Sequence, residues 1–336
     1  MSKFFGKSFI IRSFIIFTAL FSLQLVSLQV ASAKGSGDIF VSTEKDHSVI
    51  VLDGKTLQKK ATIKTSDRPR ALMFNPERTL LYVACGDGDA INVIDVASYK
   101  VVNKLDVGED PEMFDISPDG KWLYASNEED AQVTVFDLTL GKKVASIEVG
   151  EEPEGVMVSH DGATVFVTSE VANMVHLIDA ESREVKTNIV VGNRPRRFAL
   201  TPDGQQLWVT NELSGEVSII DLKTNKLIGS VKFKPRGFRD DHISPVGIIM
   251  TRDGKRLYVT LGRANHVAVV DVDKREVEKY VLVGRRAWGV ALTRDEKTLY
   301  VTNGLSDDMA VLDTQKLKVI RAVPIGRVPH SVVVDD

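Results

Sequence analysis

The sequence predicts an all-β fold, a seven-bladed β-propeller built from four-stranded blades. An aromatic residue recurs every 42 residues, with one spacing of 50, and an aspartate stands thirteen residues after each aromatic. Repeats of about 40 to 45 residues are typical of propeller blades. The seven pairs are Phe40 and Asp53, Tyr82 and Asp95, Tyr124 and Asp137, Phe166 and Asp179, Trp208 and Asp221, Tyr258 and Asp271, and Tyr300 and Asp313.

Each repeat contains four short stretches with the composition of β-strands, which we label A to D in chain order. In one repeat they fall at residues 154–158, 164–168, 174–178 and 184–189. The intervening segments, such as Asp161-Gly162, carry the Asp and Gly residues that tight turns require. The repeat therefore predicts one antiparallel four-stranded sheet per blade.

The two ends of the repeat region predict how the ring closes. The segment 38–42 is a B-type strand with no A strand before it, and the segment 330–334 is an A-type strand with no partner after it. The last strand is therefore expected to complete the first blade, which leaves no long sheet edge exposed. Residues 34–336 are predicted to form a single propeller domain.

Residues 1–33 have the features of a secretory signal peptide. Lys3, Lys7 and Arg12 precede an apolar run over residues 14–30, and the sequence Ala-Ser-Ala at 31–33 supplies small residues for cleavage. We expect a mature chain that begins near Lys34 and resides in the periplasm. A retained membrane anchor is the alternative, because the apolar run approaches the length of a membrane span.

The charge balance and the cysteine content exclude several classes of function. Removal of the predicted signal peptide leaves 40 basic and 46 acidic residues, a net charge of −6, which disfavours a nucleic-acid partner. Cys85 is the only cysteine, so the chain has neither a disulfide framework nor a thiolate metal cluster. Because Cys85 lies in a predicted strand, we expect a small buried residue.

The extra eight residues of the long repeat fall in one D–A loop, at 233–245. In an antiparallel blade the B–C and D–A loops share one face of the propeller, and insertions in repeat proteins often map to a binding face. Arg236, Arg239 and His242 in this loop suit a protein partner or an anion. A tolerated surface insertion is the alternative interpretation.

The first positions of the A strands should converge on the channel mouth at the same face. A second ring of residues follows the B strands. Convergent charges of both signs can bind polar ligands, although a solvated, salt-bridged surface explains them equally well. The inner ring is Arg70, Glu112, Glu154, Arg196, Val246, Trp288 and His330, and the second ring is Glu44, Gly86, Glu128, Glu170, Glu212, Gly262 and Gly304.

Recognised catalytic motifs are absent from the sequence. It contains no Gly-x-Ser-x-Gly elbow, phosphate loop, dinucleotide fingerprint or His-Glu-x-x-His metal motif. We therefore predict no catalytic residue, metal or cofactor. A metal site remains conceivable only where the inserted loop brings His242 to His330 beside Glu112 or Glu154.

The strand motifs carry a family resemblance. Segments such as Tyr258-Val-Thr260 and Tyr300-Val-Thr-Asn303 resemble the Tyr-Val-Thr-Asn (YVTN) family of β-propeller repeats, over about residues 38–334. The stretches 234–239, 261–271, 282–288 and 302–307 look more narrowly like propellers associated with catabolism dependent on pyrroloquinoline quinone (PQQ). The segment Pro329-His330-Ser331 departs from the Pro-Trp-Gly expected there.

The resemblance implies a non-catalytic periplasmic scaffold or ligand-binding accessory of PQQ-dependent alcohol oxidation, with a quinone-dependent dehydrogenase or transport component as partner. The predicted binding face comprises Arg70, Glu112, Glu154, Arg196, Arg236, Arg239, His242, Trp288 and His330. A lactonase-like hydrolase is the alternative, with Glu112, Glu154, His242 and His330 as its candidates. A docked electron-transfer companion is a third.

Overall fold

The described strands form seven separate four-stranded antiparallel sheets. The computed structural model describes residues 1–2 and 35–336, so the predicted signal peptide falls almost wholly outside the described residues. Within those residues, no helix is long and apolar enough to cross a membrane. The sheets confirm the predicted all-β, seven-bladed propeller.

The strands alternate regularly with turns, and two short 3₁₀ helices lie at Glu44–Asp46 and Asp240–His242. In chain order the strands are β1 (Asp38–Thr43), β2 (Ser48–Asp53), β3 (Lys59–Lys64), β4 (Pro69–Phe74), β5 (Leu80–Cys85), β6 (Ala90–Asp95), β7 (Lys100–Leu105), β8 (Pro111–Ile116), β9 (Trp122–Asn127), β10 (Gln132–Asp137), β11 (Lys142–Glu148), β12 (Pro153–Val158), β13 (Thr164–Ser169), β14 (Met174–Asp179), β15 (Val185–Val190), β16 (Pro195–Leu200), β17 (Gln206–Asn211), β18 (Glu216–Asp221), β19 (Lys226–Lys232), β20 (Pro245–Met250), β21 (Arg256–Leu261), β22 (His266–Asp271), β23 (Glu276–Leu282), β24 (Ala287–Leu292), β25 (Thr298–Asn303), β26 (Asp308–Asp313), β27 (Lys318–Pro324) and β28 (Pro329–Asp335).

The last strand of the chain closes the ring, as predicted. Blade 1 has the strand order β28-β1-β2-β3, and blades 2 to 7 each take four consecutive strands from β4 to β27. Strand β28 pairs antiparallel with β1, with Phe40 opposite Val333 and Asp38 opposite Asp335. Strand A of every blade is therefore the inner strand, and the seven A strands surround the central channel.

The repeated aromatic residues build the core between neighbouring blades. All seven are buried, and Trp208 of blade 5 packs in one cluster with Leu257 and Val259 of blade 6. Burying a large apolar side chain stabilises the fold by about 1.5–3 kcal/mol. Cys85 is also fully buried, and burial raises the pKa of its thiol to about 12.

At six of the seven blade junctions a hydroxyl group on strand B bonds to the A strand of the next blade, and the exception is blade 2, which has Ala84 at this position. Thr302 Oγ1 donates a hydrogen bond to the carbonyl of His330 at 2.6 Å, and Thr260 Oγ1 donates to that of Trp288 at 2.7 Å. Ser126 Oγ donates in the same way to the carbonyl of Glu154 at 2.8 Å. These bonds hold the backbone of the predicted inner ring in place.

Candidate functional site

The predicted inner ring occupies the second position of every A strand. Its charged members are buried, with exposed fractions of 7% or less for Arg70, Glu112, Glu154, Arg196 and His330. Six of the seven inner-ring side chains are buried, and Trp288 is half-buried. The ring therefore forms the floor of the mouth.

Ion pairs between blades neutralise this floor. Arg70 pairs with Glu112, and its Nε lies 3.4 Å from Glu44 Oε1. Arg196 pairs with Glu170 and contacts Glu154 at 3.3 Å. Burial alone would raise the pKa of Glu154, but Arg196, Arg197 and Arg70 lower it well below the usual range. The buried carboxylate is therefore held ionised by the arginines around it.

His330 is a neutral member of the floor. Burial, followed by the charge of Arg70, holds its pKa well below the usual range. Arg70 Nε donates to His330 Nε2 at 3.3 Å, so the ring proton resides on Nδ1, 3.0 Å from Ser331 Oγ. The imidazole also packs on Trp288, with ring centroids 5.3 Å apart. The basic nitrogen of His330, Nε2, therefore already accepts a hydrogen bond from Arg70.

Trp288 lies between two guanidinium groups. Those of Arg196 and Arg286 lie 5.5 Å and 4.7 Å from the centre of its ring. Such contacts are attractive because the ring face is electronegative. Trp288 is half-buried and provides an aromatic wall above the floor.

A third ring, which the sequence analysis did not identify, lies above the floor. It consists of the residue before each A strand, which in every blade has a positive φ between 41° and 61°. Its charged side chains are partly exposed, from 20% for Asp110 to 40% for Glu152. Six of the seven A strands begin with a proline, and the residue before that proline could have indicated this ring from the sequence. This outer ring is Arg68, Asp110, Glu152, Arg194, Ser244, Arg286 and Val328.

Carboxylates from blades 3 and 4 crowd together at the mouth. The oxygens of Asp110, Glu112 and Glu128 lie within 4.8 Å of one another, as do those of Glu128, Glu152 and Glu170. Arg68 contacts Glu112 at 3.0 Å, and Arg194 contacts Glu170 at 2.6 Å. Glu128 belongs to both groups and is the centre of the cluster.

The crowding separates the protonation states of these carboxyls. Burial, followed by the charges of Glu112 and Glu154, raises the pKa of Glu128 to about 8. Burial also raises the pKa of Glu170. The charge of Glu154 raises it further, while the charges of Arg196 and Arg194 lower it without cancelling the rise. Glu128 therefore keeps its proton at neutral pH beside carboxylates that are paired with arginine.

The inserted loop does not fold into the ring. Phe233 and Ile243 anchor it in the core, while the tip presents Arg236, Arg239 and His242 to solvent. Arg239 is 81% exposed and pairs with Asp241 at 3.2 Å. His242 is 58% exposed, and its charged neighbour is also Asp241, at 4.0 Å. These three predicted residues are thus separate from the other six.

The described residues form no histidine-containing cation site of the kind considered from the sequence. His242 and His330 have different neighbours, and neither belongs to the carboxylate groups at the mouth. Oxygens of Glu128, Glu152 and Glu170 are the ligand type that Ca²⁺ and Mg²⁺ prefer. Arg194 and Arg196 already occupy that position, which makes cation binding unfavourable.

A cleft of about 470 Å³ lies between blades 6 and 7 on the opposite face. Asp253, Asp271 and Glu278 line it. The two aspartates accept hydrogen bonds from the backbone of their own turns, as Asp271 Oδ1 does from Lys274 N at 2.9 Å. The mouth, with its coupled carboxyls, is the better candidate for chemistry.

Two protein-family models match parts of the chain. Residues 180–316 match the model described as "Lactonase, 7-bladed beta-propeller". Residues 34–138 match the "Cytochrome D1 heme domain". No curated protein matches the sequence.

Solved structures with this fold are numerous and distant in sequence. Hydrazine synthase of Kuenenia stuttgartiensis is 23% identical, with a TM-score of 0.76 over 84% of this chain and 93% of that one. The periplasmic gluconolactonase PpgL of Pseudomonas aeruginosa is 19% identical, with a TM-score of 0.75 over 89% and 99%. A putative 6-phosphogluconolactonase of Bacteroides fragilis is 18% identical, with a TM-score of 0.75 over 89% and 98%. At these identities the likeness establishes the fold.

The predicted role as a non-catalytic accessory of PQQ-dependent alcohol oxidation is wrong. The lactonase family model matches residues 180–316, from β15 of blade 4 to β26 of blade 7. This match favours the alternative that the sequence left open, a lactonase-like hydrolase. The accessory role was predicted from the stretches 234–239, 261–271, 282–288 and 302–307, and neither of the two matching family models is one of PQQ-dependent catabolism.

Proposed function

We propose that the protein hydrolyses a lactone at the outer mouth of the propeller. The observation that carries this proposal is the match of residues 180–316 to the seven-bladed lactonase model. The mouth offers what such a reaction needs, a proton donor, a proton acceptor and a fixed cation beside one another. The buried candidates Glu112, Glu154 and His330 give way to the partly exposed Glu128, Glu152 and Arg194.

In this mechanism Glu152 accepts a proton from the attacking water. Its side chain is 40% exposed and only loosely held by Arg194 Nη1 at 3.7 Å. The water oxygen adds to the lactone carbonyl, and the resulting oxyanion is stabilised by the guanidinium of Arg194 or Arg68. Both guanidinium groups are preorganised by their ion pairs with the carboxylates.

Glu128 supplies the second proton. When the tetrahedral intermediate collapses, the ring C–O bond breaks and Glu128 protonates the departing alkoxide, which yields a hydroxy acid. Its raised pKa keeps this proton available at neutral pH. A proton then returns from Glu152 to Glu128, whose oxygens lie within 4.8 Å of each other. The consumed reactants are one lactone and one water.

The test is a hydrolysis assay of the mature protein on five- and six-membered sugar lactones, corrected for hydrolysis in buffer alone. We expect Glu152→Gln to lower kcat/KM by about 10²- to 10⁴-fold, the usual contribution of a general base. The wild-type rate should fall as pH rises through about 8, where Glu128 loses its proton. Glu184→Gln, which removes an exposed carboxylate paired with Lys186, is the matched control. A wild-type rate equal to that of buffer across the panel would refute the proposal.

We also propose export to the periplasm with cleavage before Lys34, and membership of the YVTN repeat group. The apolar run at 14–30, the Ala-Ser-Ala at 31–33 and the repeated Tyr-Val-Thr segments support these assignments. The intact mass of the protein from a periplasmic fraction should correspond to residues 34–336. A full-length mass in the membrane fraction would indicate a retained anchor. The dehydrogenase or transport partner stays an untested prediction.

A further inference from the structure

A chamber of about 230 Å³ lies in the central channel beneath the floor of the mouth. All seven A strands contribute to its wall. Its lower residues, such as Met73 and Met157, are partly exposed, so solvent reaches it from the face opposite the mouth. The buried inner ring separates this chamber from the proposed lactonase site.

The chamber exists because glycines replace side chains at one level of the channel. Gly155, Gly247 and Gly289 directly follow inner-ring positions. A Cβ atom at Gly247 or Gly289 would collide with the carbonyl oxygen of Trp288 or His330 in the next blade. Close contact between blades thus excludes side chains here and leaves space beside the equivalent residue of blade 5, Arg197.

Arg197 brings a positive charge into this mainly apolar space. The lining also includes the carboxyl group of Asp115, which accepts hydrogen bonds from the backbone N–H groups of Ile116 and Val158. The side chain of Arg197 is 11% exposed and forms an ion pair with Glu154 Oε1 through Nη1. Among the described residues, the buried Nη2 of Arg197 has no hydrogen-bond partner. A buried donor without an acceptor is costly, and a charged one more so.

The charge of Arg197 is also incompletely balanced. Its ion-pair partner among the described residues, Glu154, is shared with Arg196 at 3.3 Å. Burial lowers the pKa of Arg197, and the nearby charges of Arg196 and Arg70 lower it further against Glu154. The surroundings of Arg197 therefore favour a second anionic partner.

We propose that the chamber binds a small aliphatic carboxylate, whose head group lies on Arg197 and whose alkyl chain lies among Met73, Met113, Met157 and Val290. A planar carboxylate matches the guanidinium fork. The volume is below the ~300–1,000 Å³ of pockets for drug-sized ligands, which limits the ligand to a short chain. The methionine side chains adapt readily to such chains.

Isothermal titration of the mature protein with hexanoate, 1-hexanol and inorganic phosphate tests the proposal. We expect hexanoate to bind at least 10-fold more tightly than hexanol, and phosphate not to bind. Arg197→Met should weaken hexanoate binding at least 10-fold. Arg236→Met, on the exposed loop, should leave binding unchanged.

A second variant guards against loss of fold. Val290→Phe fills the chamber while it leaves Arg197 and Glu154 in place, and it should abolish hexanoate binding in a protein whose thermal unfolding remains cooperative. No binding to folded wild type, equal binding of hexanol, or unchanged binding by Val290→Phe would each overturn the proposal. Glu152→Gln should bind hexanoate normally, so this result is independent of the lactonase assay.

Discussion

Both faces of the propeller carry rings of carboxylates, and the two rings have opposite surroundings. On the turn face, the aspartates thirteen residues after each aromatic accept hydrogen bonds from their own turns, as Asp221 Oδ1 does from Thr224 N at 2.8 Å. Such bonds lower the pKa of Asp53, Asp95, Asp179, Asp221, Asp271 and Asp313. At the mouth, burial raises the pKa of Glu44, Glu128 and Glu170.

The comparison shows that position in the repeat determines what a carboxylate does. A turn aspartate accepts hydrogen bonds from backbone N–H groups of the same turn, so its ionised form stabilises the blade. A mouth glutamate depends on arginines from other blades and meets other carboxylates there. The aspartates of the turn face therefore stabilise the blades. At the mouth, Glu44, Glu128 and Glu170 have pKa values raised by burial and by neighbouring carboxylates, as is common for groups that take part in catalysis.

The largest expected effect comes from removing the cation at the centre of the mouth. Arg196→Met takes away a contact of Glu154, Glu170 and Glu212, and leaves buried carboxylates without compensation. Removing one partner of a buried pair usually costs about 3–5 kcal/mol of unfolding free energy. Chemical denaturation at pH 7 measures it. The exposed Arg239→Met should change stability by no more than about 0.5 kcal/mol, and equal losses in both variants would contradict the proposed difference between buried and exposed arginines.

An intermediate effect of opposite sign is expected for Glu128→Gln. The folded protein holds a proton on Glu128 that the unfolded chain releases above pH 4.5, so wild-type stability falls as pH rises from 4.5 through about 8. Glutamine removes this loss. At pH 9 the variant should be more stable by roughly 1–2 kcal/mol, which is discounted because Glu128 is only half-buried. Denaturation at pH 4 and pH 9 tests this, and a variant that is less stable at pH 9 would contradict it.

The smallest effect is expected on the turn face. Asp221→Ala removes a hydrogen-bond acceptor of the turn. Because folding lowers the pKa of Asp221, its contribution to stability is fully present at pH values above 3.8, the ordinary pKa of an aspartate. The thermal midpoint of the variant at pH 7 should therefore lie slightly below that of wild type, and the difference should shrink as pH falls through the folded pKa. If the difference in thermal midpoint instead grew as the pH fell, the pKa of Asp221 would be raised by folding, as that of Glu128 is, and the comparison would fail.

The sequence predicted the fold well because a repeat records the same local physics seven times. The aromatic and aspartate periods defined the blades, and the unpaired strands at 38–42 and 330–334 predicted the closure. The site was harder to predict. The inner-ring residues are the second residue of every A strand, but their burial depends on side chains of neighbouring blades, which no single repeat contains. The outer ring of Arg68, Asp110 and Glu152 lay one residue before each proline and was missed.

The closing of blade 1 by β28 has a consequence for how the protein is made. The inner strand of the first blade is synthesised nearly 300 residues after its neighbour β1, and Ser36 N, two residues before β1, donates a hydrogen bond to Asp335 Oδ2 across a separation of 299 residues. Six blades can assemble in sequence as the chain emerges, but the circle and the floor that includes His330 and Arg70 form only when the final segment arrives. The floor of the mouth is therefore complete only when β28 has paired with β1, and a chain that ends before residue 329 lacks the inner strand of blade 1.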